Sequence, residues 1–474
     1  MARFIGRRAE LKRLATLKQK KSASFIVLNG RRRIGKSRLL EEFGLQFKHH
    51  YCFRGIPPGQ ETTKQGQLDE FSRQLSEQFS APRATYQDWG DLFLALSERI
   101  QKGQTLLVFD EISWMGSKCA TFLGKLKDAW DTHFKKNDQL IFVVCGSASS
   151  WIEKNIMSHT GFVGRISLTM TLDALPLADC RQFWPSNISS HEIFKVLSVT
   201  GGIPKYLEEI NPRQTAENNI NRLCFTRGGF LVEEFEQIFS DLFLRKSEYY
   251  SRILKQLLKG AMEAGDIQKA LKLETIGRVN EYLKELELAG FITRDYTWKI
   301  KNGEDSKLSH YRLKDNYTRF YLKYIEKNLT KIKRGDYSFK GYASLSEWYS
   351  VAGLQFENLV LGNRAQIYQA IGIKLQDIVS ENPYFQRPTS ERPGCQIDYL
   401  IQTRFGTLYV CEIKFSKEKI GSSVIPSMEK KLASLMAPKA VSCRPVLIHV
   451  NGVTDELIEA DYFSDIIDFS TVFD

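Results

Sequence analysis

The chain of 474 residues carries 67 Lys and Arg against 55 Asp and Glu, which gives a formal net charge of +12. Its 42% hydrophobic and 26% charged residues are typical of a globular protein, and its length exceeds what one hydrophobic core accommodates, so we expect two to four domains. The longest apolar runs, such as residues 140–145, have the length of strands, which excludes a membrane-spanning protein.

Basic residues are concentrated near the start of the sequence. Residues 1–40 hold 13 basic and one acidic side chain, which predicts a polyanionic partner: a nucleotide first, and then nucleic acid. A solvated surface would produce the same charge. The eight cysteines form no C-x-x-C pair and the start of the sequence lacks the apolar core of a secretory signal, so we expect a reducing, cytoplasmic environment without a zinc site.

The first element that indicates chemistry is a strand followed by a glycine-rich turn and a helix. An apolar run at residues 25–28 precedes residues 30–37, GRRRIGKS, which fit G-x-x-x-x-G-K-[ST] at every fixed position. Gly30 and Gly35 would let backbone amides curl around a triphosphate. Lys36 would reach the β- and γ-phosphates, and Ser37 would ligate Mg²⁺. The other residues predicted to contact the nucleotide here are Arg31, Arg32, Arg33, Ile34 and Arg38.

A second apolar strand, at residues 105–109, ends in two carboxylates. There Asp110 would hold the hydration shell of Mg²⁺, and Glu111 would orient and deprotonate the attacking water. After a further strand at 139–145, Ser147 is expected to contact the γ-phosphate. Arg165 would stabilise charge in the transition state, from the same protein molecule or a neighbouring copy, although a surface ion pair explains it nearly as well.

Five segments occur in a characteristic order: residues 30–37, 107–115, 145–150, 163–167 and 200–207. This order resembles the archaeal-type P-loop ATPases, an AAA-related family close to the signal-transducing ATPases with numerous domains. The resemblance covers residues 1–330 and implies a parallel sheet flanked by helices, a helical lid and ATP hydrolysis. It also implies that Phe4, Ile5 and Arg7 belong to an N-terminal element that packs against the adenine.

Residues 250–313 have the pattern of a winged helix, with a third helix at 276–286 and two strands that would pair as the wing. Lys272, Thr275 and Arg278 lie where such a helix would meet DNA, whereas acidic residues farther along the helix would repel phosphate. The sequence weighs DNA reading and a protein-facing lid equally. The basic segment that follows, residues 327–349, is interpreted as a linker.

A second charged group has the spacing E…D-x₁₃-E-x-K. Glu357 lies on a predicted helix, Asp398 begins a strand, and Glu412 and Lys414 share one face of the next strand. Here Asp398 and Glu412 would bind Mg²⁺ while the lysine positions or activates water. The pattern resembles the restriction-endonuclease-like nuclease fold and the C-terminal domain of unknown function of archaeal-type ATPases, although an ordinary exposed hairpin also produces it.

The predicted fold class is α/β: a P-loop NTPase parallel sheet with a helical lid, followed by a winged helix and a C-terminal α/β restriction-endonuclease-like domain. The expected boundaries are 1–180 for the ATPase core, 181–249 for the lid, 250–326 for the winged helix with its following helix, 327–349 for the linker and 350–474 for the last domain.

The expected function is ATP binding and hydrolysis coupled to a Mg²⁺-dependent nuclease-like domain that acts on nucleic acid, with DNA favoured over RNA. The family resemblance suggests a defence or mobile-element process. The alternative is a nucleotide-operated switch that binds a protein partner or DNA without cleavage. An Arg165 that acted on a neighbouring copy would require a homo-oligomer.

Overall fold

The computed structural model describes residues 3–59, 61–147, 149–243, 247–390 and 393–473. The protein divides into two compact units, Met1–Ala174 and Leu175–Asp474.

The first unit is a parallel sheet flanked by helices, as predicted. Its strands are β1 (Ser24–Gly30), β2 (His49–Arg54), β3 (Thr105–Asp110), β4 (Leu140–Gly146) and β5 (Ile166–Leu172). They pair in the order β2-β3-β4-β1-β5, and every pairing is parallel. Its helices are α1 (Arg8–Leu17), α2 (Lys36–Gly44), α3 (Lys64–Phe79), α4 (Trp89–Arg99), α5 (Ile112–Met115), α6 (Phe122–Thr132) and α7 (Ser149–Ile152).

The core of the first unit lies on the central strands. Every residue of β1, β3 and β4 is buried, which explains why these strands are nearly continuous apolar runs without alternation. The ring of Phe142 lies 4.9 Å, centroid to centroid, from the rings of both Phe25 and Phe109. Aromatic packing across neighbouring strands therefore fixes the sheet whose carboxyl ends carry the predicted site.

Side chains of α3 occupy the open edge of this sheet. Three glutamines of this helix each form two hydrogen bonds with the backbone of one residue: the side-chain oxygen accepts from its N–H, and the side-chain NH₂ donates to its carbonyl oxygen. The pairs are Gln67 with Ile56, Gln74 with Arg54, and Gln78 with Cys52. Because β2 is the edge strand, these amides pair backbone groups that would otherwise invite another strand.

The second unit joins helices, a two-stranded ribbon and a mixed sheet. Its helices are α8 (Leu177–Cys180), α9 (Ser190–Thr200), α10 (Pro204–Glu208), α11 (Ala216–Ile220), α12 (Phe230–Phe243), α13 (Ser247–Gln256), α14 (Ala264–Leu271), α15 (Ile276–Leu288), α16 (Asn316–Phe320), α17 (Leu329–Arg334), α18 (Trp348–Leu361), α19 (Ala365–Ala370), α20 (Val424–Ser434) and α21 (Asp455–Glu459). Its strands are β6 (Ile292–Trp298), β7 (Asp305–Leu313), β8 (Ile378–Gln386), β9 (Cys395–Thr403), β10 (Thr407–Lys414), β11 (Ser442–His449) and β12 (Asp465–Asp468).

The larger sheet of the second unit has the order β12-β11-β10-β9-β8. Strands β8, β9 and β10 pair antiparallel, whereas β10, β11 and β12 pair parallel. The parallel pairing of β10 with β11 requires a crossover connection, and α20 lies in that connection.

The predicted wing strands pair antiparallel as β6 and β7. The ribbon is not free, however, because Trp298 and Ile300 belong to the hydrophobic core of the larger sheet. The Trp298 indole N–H donates to Gln402, and the Tyr384 hydroxyl donates to the Trp298 carbonyl at 3.3 Å. The end of the ribbon is therefore packed against protein.

Residues 327–349, which the sequence suggests as a linker, form a folded segment in the structure. It contains α17 and buries Ile332, Tyr342 and Trp348. The Tyr342 hydroxyl donates to the Lys195 carbonyl at 3.1 Å, and this bond attaches the segment to α9. The boundaries proposed within residues 181–474 stay predictions, since the lid, the ribbon and the larger sheet belong to one compact unit.

Candidate active site

The predicted phosphate-binding loop connects the end of β1 to the start of α2. Gly30 has φ +143° and Gly35 has φ +91°, which are conformations that residues with a side group rarely adopt. A Cβ atom at Gly30 would also lie 2.7 Å from the Leu172 carbonyl oxygen. Both glycines are thus required by the backbone, as the motif predicts.

Lys36 begins α2 and turns back over this loop. Its Nζ donates to the Gly30 carbonyl at 2.8 Å and to the Arg31 carbonyl at 3.1 Å. Burial lowers the pKa of Lys36, and the nearby charge of Glu111 opposes that shift. The ammonium group is therefore held inside the loop by carbonyl oxygens that phosphate oxygens could replace.

Ser37 and Asp110 meet at the next position. The Ser37 hydroxyl donates to Asp110 Oδ2 at 2.8 Å, although 73 residues separate the two. The other oxygen, Oδ1, accepts from the Glu111 N–H at 3.0 Å and from the Cys145 Sγ at 2.9 Å. A hydroxyl and a carboxylate on facing elements are the ligands expected for Mg²⁺.

Glu111 and Ser147, which the sequence assigns to the attacking water and to the γ-phosphate, lie in contact with each other. The Ser147 backbone N–H and its hydroxyl both donate to the Glu111 carboxylate at 3.2 Å. Burial raises the pKa of Glu111, and although the charge of Lys36 opposes this shift, that of Asp110 adds to it. A carboxylate with a raised pKa is a better proton acceptor in hydrolysis, which agrees with the predicted general base.

The N-terminal element acts on the loop through Arg7. This buried side group donates to the Ile34 carbonyl at 2.9 Å and to the Asp173 carbonyl at 2.6 Å, and it pairs with Glu10 at 3.0 Å. The ring centroid of Phe4 lies 6.0 Å from the Arg38 guanidinium, and Ile5 is half-buried. Arg7 therefore stabilises the loop through the Ile34 carbonyl, while its predicted contact with a nucleotide stays a prediction.

Arg165 is paired with Asp131 on α6. Its Nε and Nη2 donate to the two carboxylate oxygens at 2.9 and 2.8 Å. The hydrogen bonds from Arg165, assisted by Lys127, lower the pKa of Asp131 to about 2. The geometry corresponds to the surface ion pair that the sequence left open, and a role for Arg165 at the phosphates stays a prediction.

In the second unit, Asp398 on β9 and Glu412 on β10 lie side by side. Lys431, on α20, donates to Asp398 Oδ1 at 3.1 Å and to Glu412 Oε2. Lys414 pairs with Glu412 Oε1 at 2.7 Å, and the Ile413 N–H donates to Asp398 Oδ2 at 2.9 Å. Each oxygen of the two carboxylates therefore has a protein donor.

The charges in this cluster shift one another. Burial raises the pKa of Asp398, and the neighbouring Glu412 adds to this shift. Burial acts in the same sense on Glu412, but Lys431 and Lys414 outweigh it and lower the pKa of that carboxyl. Because the two acids are held against two lysines, the cluster is compact and close to neutral.

Glu357, the fourth residue of the predicted constellation, lies on α18. Burial and the charge of Asp398 raise the pKa of Glu357 to about 7, although Arg312 and Arg319 oppose the shift. Arg319 is fully buried and donates to the Gln355 side group and to three backbone carbonyls, which fixes the helix that carries Glu357. The charge of Asp398 therefore reaches Glu357, and a direct part for Glu357 in the second site stays a prediction.

Comparison with known proteins identifies an ATPase domain in the part of the sequence that contains the first site. Residues 4–210 match the model of a family described as an ATPase domain predominantly from Archaea. The protein is an ATP-hydrolysing enzyme. The matched segment contains the loop, Asp110, Glu111 and Ser147.

Similarity to individual proteins is more distant. An uncharacterized protein of Methanocaldococcus jannaschii is 26% identical over 343 residues, which cover 70% of this sequence and 71% of that protein. A Walker-type ATPase of Pyrococcus abyssi aligns over 67% of this sequence and 96% of its own, with 16% identity and a TM-score of 0.49. The ORC2 protein of Aeropyrum pernix, in its ADPNP–ADP complexes, aligns over 70% and 96%, with 15% identity and a TM-score of 0.37.

Three residues at these sites were not predicted from the sequence. Arg54 ends β2 with its Nε 3.8 Å from Asp110 Oδ2, Cys145 donates to the same carboxylate, and Lys431 bridges the second acid pair. The positions of Arg54 and Cys145 at strand ends beside β3 were a usable signal, because parallel strands end at one edge of a sheet. Lys431 follows another lysine in a helix, and nothing in the sequence distinguishes the two.

The described residues contain no group of three or more His, Cys, Asp and Glu side groups that could hold a metal ion. Among the residues that the structure describes, no helix is long and apolar enough to cross a membrane.

Proposed function

We propose that this ATPase uses the loop, Asp110 and Glu111 for hydrolysis, and that turnover controls a Mg²⁺-dependent, nuclease-like site within residues 350–474. Nucleic acid, with DNA favoured over RNA, is the proposed second substrate. Its participation in defence or mobile-element processes rests on the family resemblance alone.

At the first site each functional group has a separate task. Lys36 would exchange its carbonyl partners for β- and γ-phosphate oxygens, while Ser37 and Asp110 would hold Mg²⁺, which neutralises phosphate charge when bound. Glu111, oriented by Ser147, would take a proton from water as that water attacks the γ-phosphorus and the bond to the ADP oxygen breaks. The Ser37–Asp110 hydrogen bond of 2.8 Å supports this assignment.

One observation carries the proposal for the second site. Asp398 Oδ1 and Glu412 Oε2 both reach one cationic atom, the Lys431 Nζ. Two carboxylates directed at a common point can bind a divalent cation there, and Lys414 lies beside them to position water. The order of three antiparallel strands, a crossover helix and a parallel strand is consistent with the restriction-endonuclease-like fold suggested by the sequence.

Helix α15 supports DNA binding more strongly than the ribbon does. Thr275 and Arg278 are exposed at its start, and Lys272, four residues before the helix, is exposed as well, whereas the end of the ribbon packs against the larger sheet. Glu281, which is also exposed on this helix, opposes phosphate binding. We therefore place the proposed DNA contact at the start of α15.

One observation favours the alternative, a switch that binds a protein partner or DNA without cleavage. Every oxygen of Asp398 and Glu412 already has a protein donor, so the pair would serve as a structural ion cluster. A cluster of this kind stabilises one arrangement of β9, β10 and α20 without any chemistry.

Plasmid and single-stranded DNA incubated with Mg²⁺ and ATP separate the two proposals. We expect the wild-type protein to cut one of them, Asp398→Asn to abolish cutting while ATP hydrolysis continues, and Lys36→Ala to abolish hydrolysis. Glu459→Gln, which changes an exposed carboxylate of the same unit, is the matched control and should cut normally. If neither DNA is cut under any of these conditions, the switch is the better description.

A further inference from the structure

The contacts of Lys431 differ from those expected of a lysine that only positions water. Its Nζ lies between the two carboxylates, 3.1 Å from Asp398 Oδ1 and in contact with Glu412 Oε2. These are the two oxygens that converge on one point, where a divalent cation would have to bind. Lys431 and a metal ion therefore cannot occupy the position together.

The helix that carries Lys431 is anchored, whereas the lysine itself has room to move. Val424, Met428 and Leu435 are buried in the core beneath α20, so the helix is held against the sheet. The side chain of Lys431 is 21% exposed, and its four-carbon stem permits the ammonium group to leave the carboxylates without displacing the helix.

Lys414 contacts one carboxylate of the pair, whereas Lys431 contacts both. Lys414 contacts only Glu412 Oε1, at 2.7 Å, and its side group is 44% exposed. A cation at the converging oxygens would leave this ion pair intact. The two lysines consequently have different roles: Lys431 fills the metal position, and Lys414 lies beside it.

We propose that Lys431 is a built-in counter-ion that closes the second site to divalent metal until an anion, such as a phosphodiester of bound nucleic acid, draws its ammonium group away. This inference rests on the proposed nuclease-like function and adds a form of regulation to it. Metal uptake at Asp398 and Glu412 is then coupled to phosphate binding, and by linkage each ligand strengthens the binding of the other.

Binding of Mn²⁺ to the nucleotide-free full-length protein, followed by the electron paramagnetic resonance signal of free Mn²⁺, tests this proposal. Lys431→Met should bind Mn²⁺ at Asp398 at least about tenfold more tightly than wild type, which is the scale on which one adjacent charge shifts an ionic equilibrium. Lys430→Met removes an exposed lysine from the same helix and should leave the affinity unchanged. Lys431→Arg keeps the positive charge and should resemble wild type.

The double variant Lys431→Met/Asp398→Asn identifies the site that is measured, because it should lose the tight Mn²⁺ binding while the nucleotide site is untouched. A second readout is thermal: added Mn²⁺ should raise the Tm of Lys431→Met more than that of wild type. Equal or weaker Mn²⁺ binding by Lys431→Met, with DNA cutting by wild type, would overturn the counter-ion proposal alone. If Lys431→Met and Lys431→Met/Asp398→Asn bind Mn²⁺ equally well, the metal site at Asp398 is overturned as well.

Discussion

Two sites in this protein bring a pair of carboxylates together, but they hold those carboxylates differently. In the first unit Asp110 and Glu111 are held mainly by uncharged donors, from Ser37, Cys145 and Ser147. In the second unit the acid pair is held by two lysines. The first arrangement keeps negative charge available for a metal ion, and the second neutralises it internally.

This difference shows how the same residue types can produce an open or a closed site. Donors such as hydroxyl and thiol orient an acid and cost little to displace. An ammonium group in contact with two buried carboxylates must be removed against their attraction before another cation binds. The comparison therefore predicts opposite effects of removing a lysine. Loss of Lys36 from the first site should abolish catalysis, whereas loss of Lys431 from the second site should increase its affinity for a metal ion.

The largest expected effect in the first unit is that of Lys36→Ala. Because Lys36 is buried within the loop and its ammonium group would contact the phosphates, its removal should lower kcat/KM for ATP hydrolysis by about 100-fold or more. Phosphate release measures the change, and Lys48→Ala, which changes a lysine of the same unit outside the site, should hydrolyse ATP normally. Normal hydrolysis by Lys36→Ala would show that the first site does not catalyse hydrolysis through Lys36, and it would refute the comparison.

Glu111→Gln should separate binding from chemistry. The amide keeps the shape and the contacts with Ser147 but cannot accept a proton, so kcat should fall by about 100-fold while the Kd of a fluorescent ATP analogue changes little. Single-turnover hydrolysis and fluorescence titration provide the two measurements. A parallel loss of nucleotide affinity would mean that Glu111 supports the site instead of activating water.

Glu357→Gln tests the electrostatics of the second site. The pKa of Glu357 is raised from 4.5 to about 7, so the folded state favours the protonated carboxyl. The free energy of unfolding should then decrease as the pH rises from 4.5 through 7, by about 3 kcal/mol. Urea unfolding at several pH values should show this slope in wild type and a flatter one in Glu357→Gln. An unchanged slope would place Glu357 outside the charged cluster.

The smallest expected effect is that of Cys145→Ala. Loss of one weak thiol donor to Asp110 should reduce the apparent Mg²⁺ affinity in ATP hydrolysis by about three- to fivefold. Cys145→Ser, which keeps a donor at the same position, should recover most of the loss. If the serine variant is as impaired as the alanine variant, packing and not orientation of Asp110 explains the effect.

The sequence predicted the parts of both sites whose residues are close together in the sequence. The conformations of Gly30 and Gly35 and the position of Lys36 follow from one continuous motif, and Glu412 and Lys414 share a face because they are two apart on a strand. Ser37 and Asp110 were expected at one Mg²⁺ ion and Ser147 at the γ-phosphate, but the direct hydrogen bonds of Ser37 with Asp110 and of Ser147 with Glu111 came only from the structure.

The amino-acid sequence by itself determined the parallel sheet, the phosphate-binding loop and the type of chemistry that residues 4–210 perform. Only the tertiary structure decided the partner of Arg165, the burial of the ribbon and the position of Lys431 between two acids. Local geometry follows from backbone conformation and residue spacing, which a motif records. Contacts between distant segments depend on how helices pack on a sheet. Many lysines and arginines have a similar sequence context, so the sequence does not indicate which of them contacts a given carboxylate.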